Sequence, residues 1–190
     1  MAQGFNLFKP AMIDYFEQVE TLSHKLLSLF STALELPPNF LNGFFNNPTS
    51  RLKINHYPPQ DNPENVNNIG VVPHSDSGCF TILWQDQNGG LEIQNKSGDW
   101  VVAPPVEDSF VVNIGNILQY WSNGLFSSTP HRVINRNGRD RYSIPLFVNP
   151  DFETMIEPLV DSGHPSFEPF HYGQYQVDLW RNTFPVASIP

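Results

Sequence analysis

The chain has 190 residues, of which 39% are hydrophobic and 13% aromatic, so it holds enough apolar material for a core of ordinary size. Its 10 basic and 19 acidic residues give a net charge of −9, which disfavours a nucleic acid or an anionic membrane as a partner because the field repels polyanions. The lone cysteine, Cys79, excludes an intramolecular disulfide framework and a CxxC zinc site. The sequence has no apolar run of membrane-spanning length and no signal-peptide pattern, so we expect a soluble, cytoplasmic protein.

The first predicted element is a long amphipathic helix. Apolar residues recur at helical spacing over 10–36 and form one stripe, with charged residues elsewhere on the surface. Pro10 suits the first turn of a helix, and the double proline at 37–38 ends it. A short second helix is predicted over 39–45, and we interpret residues 1–48 as a helical buttress without chemistry of its own.

After residue 48 the pattern changes to short β-prone stretches separated by turn signals such as DQNGG, NKSGD and NRNGRD. Seven strands are predicted, over 51–57, 79–84, 91–94, 100–102, 109–114, 131–135 and 141–148. For 116–121 we favour a short helix over a strand, and the tail, 151–190, is predicted to contain a helix at 172–180. Many short strands at this spacing are typical of a sandwich, a barrel or a jelly roll. We therefore predict a mainly β fold with flanking helices, in one domain over 1–190 with its core at 49–150.

A candidate metal site combines the triplet His74-Ser75-Asp76 with the distant His131. On an extended strand, residues i and i+2 point to the same face, so His74 and Asp76 can reach one point. His131, 57 residues later, supplies a third ligand. Two imidazoles and one carboxylate suit a divalent first-row metal and leave positions open for substrate and oxygen. Taken singly, the triplet is also compatible with a surface turn, and His131 with a hydrogen-bonded core histidine.

A candidate carboxylate receptor follows in the segment Arg141-Tyr142-Ser143. Arg141 and Ser143 share a strand face, and a guanidinium fork beside a hydroxyl offers paired donors of fixed geometry. Asn55 and Tyr57 likewise share one face and could donate hydrogen bonds to a bound acid, while His56 points the other way. The alternative for Arg141 is an exposed arginine of a hairpin turn.

The segments KINHYPP, PHSDS, GGLEIQ and RYSIPLFVNP, in this order between residues 51 and 150, resemble the iron(II)/2-oxoglutarate-dependent oxygenases. The resemblance is closest to the branch that contains isopenicillin N synthase and the plant flavonoid and hormone dioxygenases. It implies a cupin-like double-stranded β-helix, or jelly roll, preceded by the long helix. It also implies oxidation of a small organic molecule, by hydroxylation or otherwise, with release of succinate and CO2.

The resemblance further implies roles for individual residues, with no catalytic residue beyond the metal ligands. His74, Asp76 and His131 are implied to bind Fe(II). Arg141 and Ser143 are implied to bind the distal carboxylate of 2-oxoglutarate, and Asn55 and Tyr57 to contact the same cosubstrate. Phe147 is implied to contact the substrate. O2 is the second cosubstrate, and ascorbate is expected as a reductant.

One departure from the family concerns the N-terminus, because family members usually begin with a substantial portion that helps to wall the active site. We expect a chain shortened at this end, either as a natural form or as a truncated gene product. Two alternatives to the oxygenase remain open. One is an isopenicillin N synthase-like oxidase, which keeps the same three ligands but takes all electrons from its substrate. The other, suggested by the short N-terminus, is a non-catalytic metal-binding or interaction module. Neither the substrate nor the oligomeric state is readable from the sequence.

Overall fold

In the computed structural model, which describes residues 5–59, 69–136, 138–163 and 167–183, the centre of the protein is formed by two antiparallel β-sheets. The strands are β1 (Arg51–Leu52), β2 (Asn55–Tyr57), β3 (Ile69–His74), β4 (Phe80–Gln85), β5 (Leu91–Gln94), β6 (Trp100–Val102), β7 (Val111–Ile114), β8 (His131–Ile134), β9 (Arg141–Val148), β10 (Met155–Ile156) and β11 (Phe170–His171). The helices are α1 (Phe5–Ala33), α2 (Asn116–Trp121) and α3 (Tyr172–Thr183), with a 3-10 helix at Leu41–Phe44. Within the described ranges, no helix has both the length and the apolar character needed to cross a bilayer.

The two main sheets are wound together by the path of the chain. The first sheet has the order β1-β9-β4-β7, and β2 pairs with the other half of β9. The second sheet has the order β3-β8-β5-β6, while β10 and β11 form a separate ribbon. From β2 to β9 the chain passes back and forth between the two main sheets, with only the β5–β6 hairpin staying in one of them. This winding is that of a jelly roll, which confirms the predicted fold class.

The alternation of side chains along β4 and β9 separates a helix-facing side from a cavity-facing side. Phe80, Ile82, Leu146 and Val148 are almost inaccessible to solvent and belong to one apolar cluster with α1 residues such as Leu27. The residues between them point toward the second sheet, because successive side chains of a strand alternate. α1 therefore covers the outer face of the first sheet and leaves its inner face free for a cavity.

A partly buried ionic cluster joins β5 to β8 in the second sheet. Glu92 lies opposite Arg132 in the strand pairing, is 4% exposed, and accepts hydrogen bonds from Arg132 Nε at 2.7 Å and from Arg136. The guanidinium carbon of Arg132 lies 4.1 Å from the centre of the Trp100 ring. Burial raises the pKa of Glu92, but the hydrogen bonds and charges of Arg136 and Arg132 outweigh it, so this pKa lies below its usual value.

The long helix differs from its prediction at both ends. α1 begins at Phe5, so Pro10 lies in its second turn, and the placement of Pro10 in the first turn was wrong. A proline there removes one backbone hydrogen bond close to the helix start. α1 ends at Ala33 because Glu35 adopts φ 57°, a left-handed conformation that stops a helix. The second predicted helix is a 3-10 helix at Leu41–Phe44.

The strand predicted over 51–57 is divided in two. The amide of Lys53 donates to the carbonyl of Pro145 at 3.0 Å, but Pro145 has no N–H with which to return the bond. The ladder is therefore interrupted, and β1 and β2 pair with β9 separately. β3 was not among the predicted strands, because Gly70 and Pro73 interrupt its pattern. The other predicted strands and helices are confirmed to within three residues at either end.

Candidate active site

An open cavity lies between the inner faces of the two main sheets. Its empty volume is about 700 Å³ with the open mouth included. Both sheets contribute apolar walls, which comprise Val71, Leu83, Leu91, Ile93, Val111, Val133, Pro145 and Phe147. The same cavity is lined by all the residues to which the sequence analysis gave roles in binding the metal, the cosubstrate or the substrate.

His74, Asp76 and His131 converge in this cavity. His74 is the last residue of β3 and His131 the first of β8, and the two are direct partners in the antiparallel pairing with ring centres 4.3 Å apart. Asp76 Oδ1 lies 3.8 Å from Nε2 of each histidine. One ligand atom from each residue falls within 4.8 Å of the other two. Residues far apart in the sequence are thus brought together by the β3–β8 pairing.

Asp76 reaches the two histidines from a loop. Because β3 ends at His74, the argument that residues i and i+2 of an extended strand share a face was wrong for this pair. The loop is positioned by its backbone instead, since the amide of Asn116 donates to the Asp76 carbonyl at 2.8 Å. Gly115 permits this approach, because a Cβ at that position would overlap the carbonyl oxygen of Gly78.

Both histidines present Nε2 as the nitrogen that can bind a metal. His74 Nδ1 lies 2.8 Å from the carbonyl oxygen of Val72, and His131 Nδ1 lies 3.2 Å from that of Thr129. A carbonyl oxygen only accepts, so each Nδ1 carries a proton and each Nε2 has a free lone pair when the ring is neutral. Burial lowers the pKa of His131, an effect that Asp76 opposes and His74 reinforces. The neutral ring that results is the form that a metal requires.

The second carboxylate oxygen of Asp76 is occupied by hydrogen bonds. Thr81 Oγ1 donates to Asp76 Oδ2 at 2.5 Å, and Asn113 Nδ2 donates to the same oxygen at 2.9 Å. Thr81 belongs to β4 and Asn113 to β7, so the first sheet holds the carboxylate from beneath. Asp76 is 6% exposed, and its other oxygen, Oδ1, is the one that faces the two histidines.

Arg141, the first residue of β9, is 1% exposed and is held in place by two acceptors. Its Nε donates to the carbonyl of Gly89, and its Nη2 donates to Gln85 Oε1 at 2.9 Å. No carboxylate of the described residues forms an ion pair with it. Burial lowers the pKa of Arg141, while Tyr57 and Asp86 favour the charged form. The guanidinium nevertheless remains protonated at neutral pH, as arginine does in proteins.

Asn55, Tyr57 and Ser143 surround Arg141 on the inner face of the first sheet. In the β2–β9 pairing Tyr57 is opposite Arg141 and Asn55 is opposite Ser143. Asn55 Nδ2 donates to Ser143 Oγ at 3.4 Å, and the guanidinium carbon of Arg141 lies 4.9 Å from the centre of the Tyr57 ring. His56 points to the opposite face, as predicted, and its Nε2 lies within hydrogen-bonding distance of an aspartate there.

The donor groups in the cavity fit a metal and a carboxylate. Two imidazole nitrogens and one carboxylate oxygen form the set that binds non-haem iron on one face and leaves the remaining positions open. Arg141 Nη1 is buried and has no hydrogen-bond partner among the described residues. An unpaired buried donor is costly, and a carboxylate bound in the cavity would supply the missing acceptor in a charge-assisted pair.

Sequence reasoning did not find the residues that support these groups. Thr81 and Asn113 hold Asp76, and Gln85 holds Arg141. A signal for the first two was present, because each is a polar residue within a β-prone apolar segment and a buried polar group needs a partner. Lys53 also lines the cavity, but an exposed lysine beside a strand carries no such signal.

Comparison with protein families gives one match over the β-rich body. The family described as the 2OG-Fe(II) oxygenase superfamily matches residues 48–150. This range contains β1 to β9, and therefore every residue of the candidate metal triad together with Arg141.

Individual proteins are similar over most of this chain. The Metarhizium rileyi 2-oxoglutarate-Fe(II) type oxidoreductase ppzC is 41% identical over 74% of this chain and 39% of that protein. Arabidopsis thaliana feruloyl CoA ortho-hydroxylase 1 is 45% identical over 69% of this chain and 37% of that protein. The crystal structure of a full-length Neurospora crassa protein in complex with alpha-KG and thymine superposes with a TM-score of 0.86 at 28% identity, over 93% of this chain and 57% of that chain.

This chain thus spans about two fifths of the length of the two curated relatives and somewhat more than half of the solved structure. The structural match extends over nearly all of the chain and agrees with the jelly-roll winding of the sheets. None of these matches favours an oxidase that works without 2-oxoglutarate or a non-catalytic module.

Proposed function

Because this chain belongs to the 2OG-Fe(II) oxygenase superfamily, we propose that it is an iron(II)- and 2-oxoglutarate-dependent oxygenase that hydroxylates or otherwise oxidises a small organic molecule. The observation that carries the proposal is the convergence of two unlike receptors in one cavity. A histidine-carboxylate triad suited to iron lies in the same cavity as a buried guanidinium whose Nη1 has no partner among the described residues. A metal alone would explain the triad, and an acidic cosubstrate would in addition supply an acceptor for Arg141 Nη1.

The proposed iron ligands are Nε2 of His74, Nε2 of His131 and Oδ1 of Asp76. The Nδ1–H groups of both histidines donate to backbone carbonyls, which fixes the orientation of the rings. Asp76 contributes a negative charge that partly balances the dication. Its Oδ2 accepts hydrogen bonds from Thr81 and Asn113 of the first sheet, so the carboxylate offers only Oδ1 to the ion.

The proposed site for 2-oxoglutarate is the end of the cavity at Arg141. The guanidinium and Ser143 would bind the distal carboxylate, and Asn55 and Tyr57 would line the same molecule. Because Arg141 is held by Gly89 and Gln85, its remaining donors have a defined direction before any ligand arrives. This anchoring would orient the other end of the cosubstrate toward the triad.

When bound, the iron supplies the redox chemistry by which O2 converts 2-oxoglutarate to succinate and CO2 and oxidises a C–H bond of the substrate. The contribution of the protein is to position the reactants and to exclude water. Apolar side chains of both sheets, such as Val71 of β3 and Leu83 of β4, line the cavity that contains the two polar groups. Phe147 lines the same cavity and is proposed to contact the substrate. Ascorbate as a reductant stays a prediction from the family resemblance.

The substrate is proposed only as a small organic molecule. The name of one relative refers to a CoA ester, and the solved structure contains thymine, so the similar proteins do not indicate one common substrate. The cavity opens to solvent and is lined by apolar side chains of both sheets with a few polar groups, which is the lining typical of sites for small organic molecules.

The proposal is tested by mixing the protein with iron(II) and 2-oxoglutarate in the absence of oxygen. We expect a weak visible charge-transfer band, followed by formation of succinate when air is admitted. His131→Ala should remove the band, whereas His24→Ala, on α1 and outside the cavity, should leave it unchanged. A flat spectrum for the unmodified chain, together with no succinate in air, would refute the proposal. Iron binding without any dependence on 2-oxoglutarate would point to the oxidase or the non-catalytic module.

A further inference from the structure

The cavity contains a second cationic side chain besides Arg141. Lys53 lies in the break between β1 and β2 and lines the cavity. Its amide donates to the carbonyl of Pro145, which places it in register with that residue of β9. Lys53, Asn55 and Tyr57 follow one another at two-residue steps, so all three side chains lie on the inner face of the first sheet.

The two cationic residues occupy different parts of the cavity wall. Pro145, opposite Lys53, is four residues from Arg141 along β9, which at about 3.4 Å per residue separates the two positions by about 14 Å. Phe147 is only two residues from Pro145. It pairs with Thr81 of β4, whose hydroxyl donates to the Asp76 carboxylate. Along β9, the residue opposite Lys53 is thus two residues from the partner of Thr81 and four residues from Arg141. When 2-oxoglutarate is bound to Arg141, the Lys53 ammonium group can still bind a second anion.

The charge of Lys53 is not compensated by the described part of the protein. Every ion pair formed between described residues uses another cation, so no described carboxylate lies within 4.0 Å of its ammonium group. The chain as a whole carries −9 and repels anions at long range, so attraction of an anion depends on local cations. The neighbouring cavity wall is apolar and consists of Leu83, Pro145 and Phe147.

We propose, on the basis of the proposed function, that Lys53 makes the triad end of the cavity selective for an organic acid as substrate. The substrate carboxylate binds the Lys53 ammonium, and a compact apolar body packs against Pro145 and Phe147. In this arrangement the body of the substrate lies beside the triad, while the carboxylate remains at the exposed edge of the cavity. A neutral molecule of the same shape retains the apolar contacts and loses the ion pair.

The test compares acids with amides of the same shape on protein that has been saturated with iron(II) and 2-oxoglutarate without oxygen. The probes are benzoate, 3-phenylpropionate and hexanoate, each with its primary amide, and saturation-transfer NMR measures their binding. Saturation with 2-oxoglutarate keeps the probes away from Arg141. We expect at least one acid to bind about tenfold more tightly than its amide, as a charge-assisted hydrogen bond allows.

Variants assign this preference to Lys53. Lys53→Met should bring the affinities of acid and amide together, and Lys53→Arg should restore most of the difference. Lys25→Met changes the net charge equally on the exposed face of α1 and should keep the preference. Equal binding of acids and amides, no binding of any of the three acids at millimolar concentration, or an unchanged preference in Lys53→Met would each overturn the proposal.

Failure of this proposal is distinguishable from failure of the proposed function. If the unmodified chain forms the charge-transfer band and releases succinate but shows no preference for acids, only the role of Lys53 is lost. If no band forms, the proposed function is lost, and the comparison of unmodified chain with Lys53→Met still decides whether Lys53 binds the probe acids.

Discussion

Thr81→Val is expected to weaken iron(II) binding even though Thr81 is not among the proposed iron ligands. Thr81 Oγ1 donates to Asp76 Oδ2 at 2.5 Å, and both side chains are buried, with 5% and 6% exposed. Valine has nearly the shape of threonine but no hydroxyl, so the substitution removes the hydrogen bond and leaves the packing on β4 almost unchanged. Without the bond, only Asn113 holds Oδ2, so the carboxylate is less firmly oriented and Oδ1 is directed toward the histidines less strictly.

The size of the effect follows from the character of this bond. A hydrogen bond to a charged group contributes about 1.5–3 kcal/mol. Loss of a hydrogen bond that orients a metal ligand typically costs 10- to 100-fold in metal affinity, or about 1.4–2.8 kcal/mol. Asn113 still donates to the same oxygen at 2.9 Å, so we expect Thr81→Val alone to weaken iron(II) binding about tenfold. The double variant Thr81→Val/Asn113→Leu should lose more than the sum of the single variants, because it leaves Oδ2 buried without a donor.

The assay is anaerobic titration of iron(II) into the metal-free protein, with competition against a chelator if binding is tight. The matched control is Thr21→Val, because Thr21 donates its hydroxyl to a backbone carbonyl on the exposed surface of α1. Circular dichroism shows whether each variant is folded. An affinity of folded Thr81→Val equal to that of the unmodified chain would refute the reasoning that Oδ2 must be held for Oδ1 to bind the metal.

Three further predictions concern the cosubstrate, the acid stability and the loop that carries Asp76. Arg141→Ala should weaken 2-oxoglutarate binding by about 1.5–3 kcal/mol or more, whereas Arg139→Ala, exposed in the preceding turn, should not change the affinity measured by calorimetry. The folded-state pKa of Glu92 is below its unfolded value, so its ion pairs stabilise the fold above about pH 4.3 and this contribution is lost as the pH falls through the folded pKa. In urea unfolding, Glu92→Gln should cost about 1–3 kcal/mol at pH 7, because its partners are partly exposed. This cost should become progressively smaller as the pH is lowered below about 4.3, and a cost that stays constant or grows on acidification would contradict the sign. Gly115→Ala should cost about 1–3 kcal/mol of unfolding free energy through overlap with a backbone carbonyl, while Gly43→Ala, with open space around it, should be nearly neutral.

The donor groups of the site were predictable because the types of the residues and their order along the chain identify them. The pairing of His74 with Asp76, the distant His131 and the segment beginning at Arg141 all carry a recognisable pattern, and the structure brings them into one cavity. The fold class was predictable for the same reason, since most of the strands and turns have a local signal, although β3 does not. Local sequence determines local conformation and the chemical groups available, and these were sufficient for the fold class and the donor set.

The support of the site was decided by the tertiary structure. Asp76 reaches the histidines from a loop held by α2, and its second oxygen is held by Thr81 and Asn113 on two different strands. The break in the ladder at Lys53 arises because its partner across the sheet is Pro145. Which residues face each other across a sheet depends on the register of strands distant in the chain, and that register results from packing of the whole core. A single sequence contains the partners but not their alignment, which only the folded chain establishes.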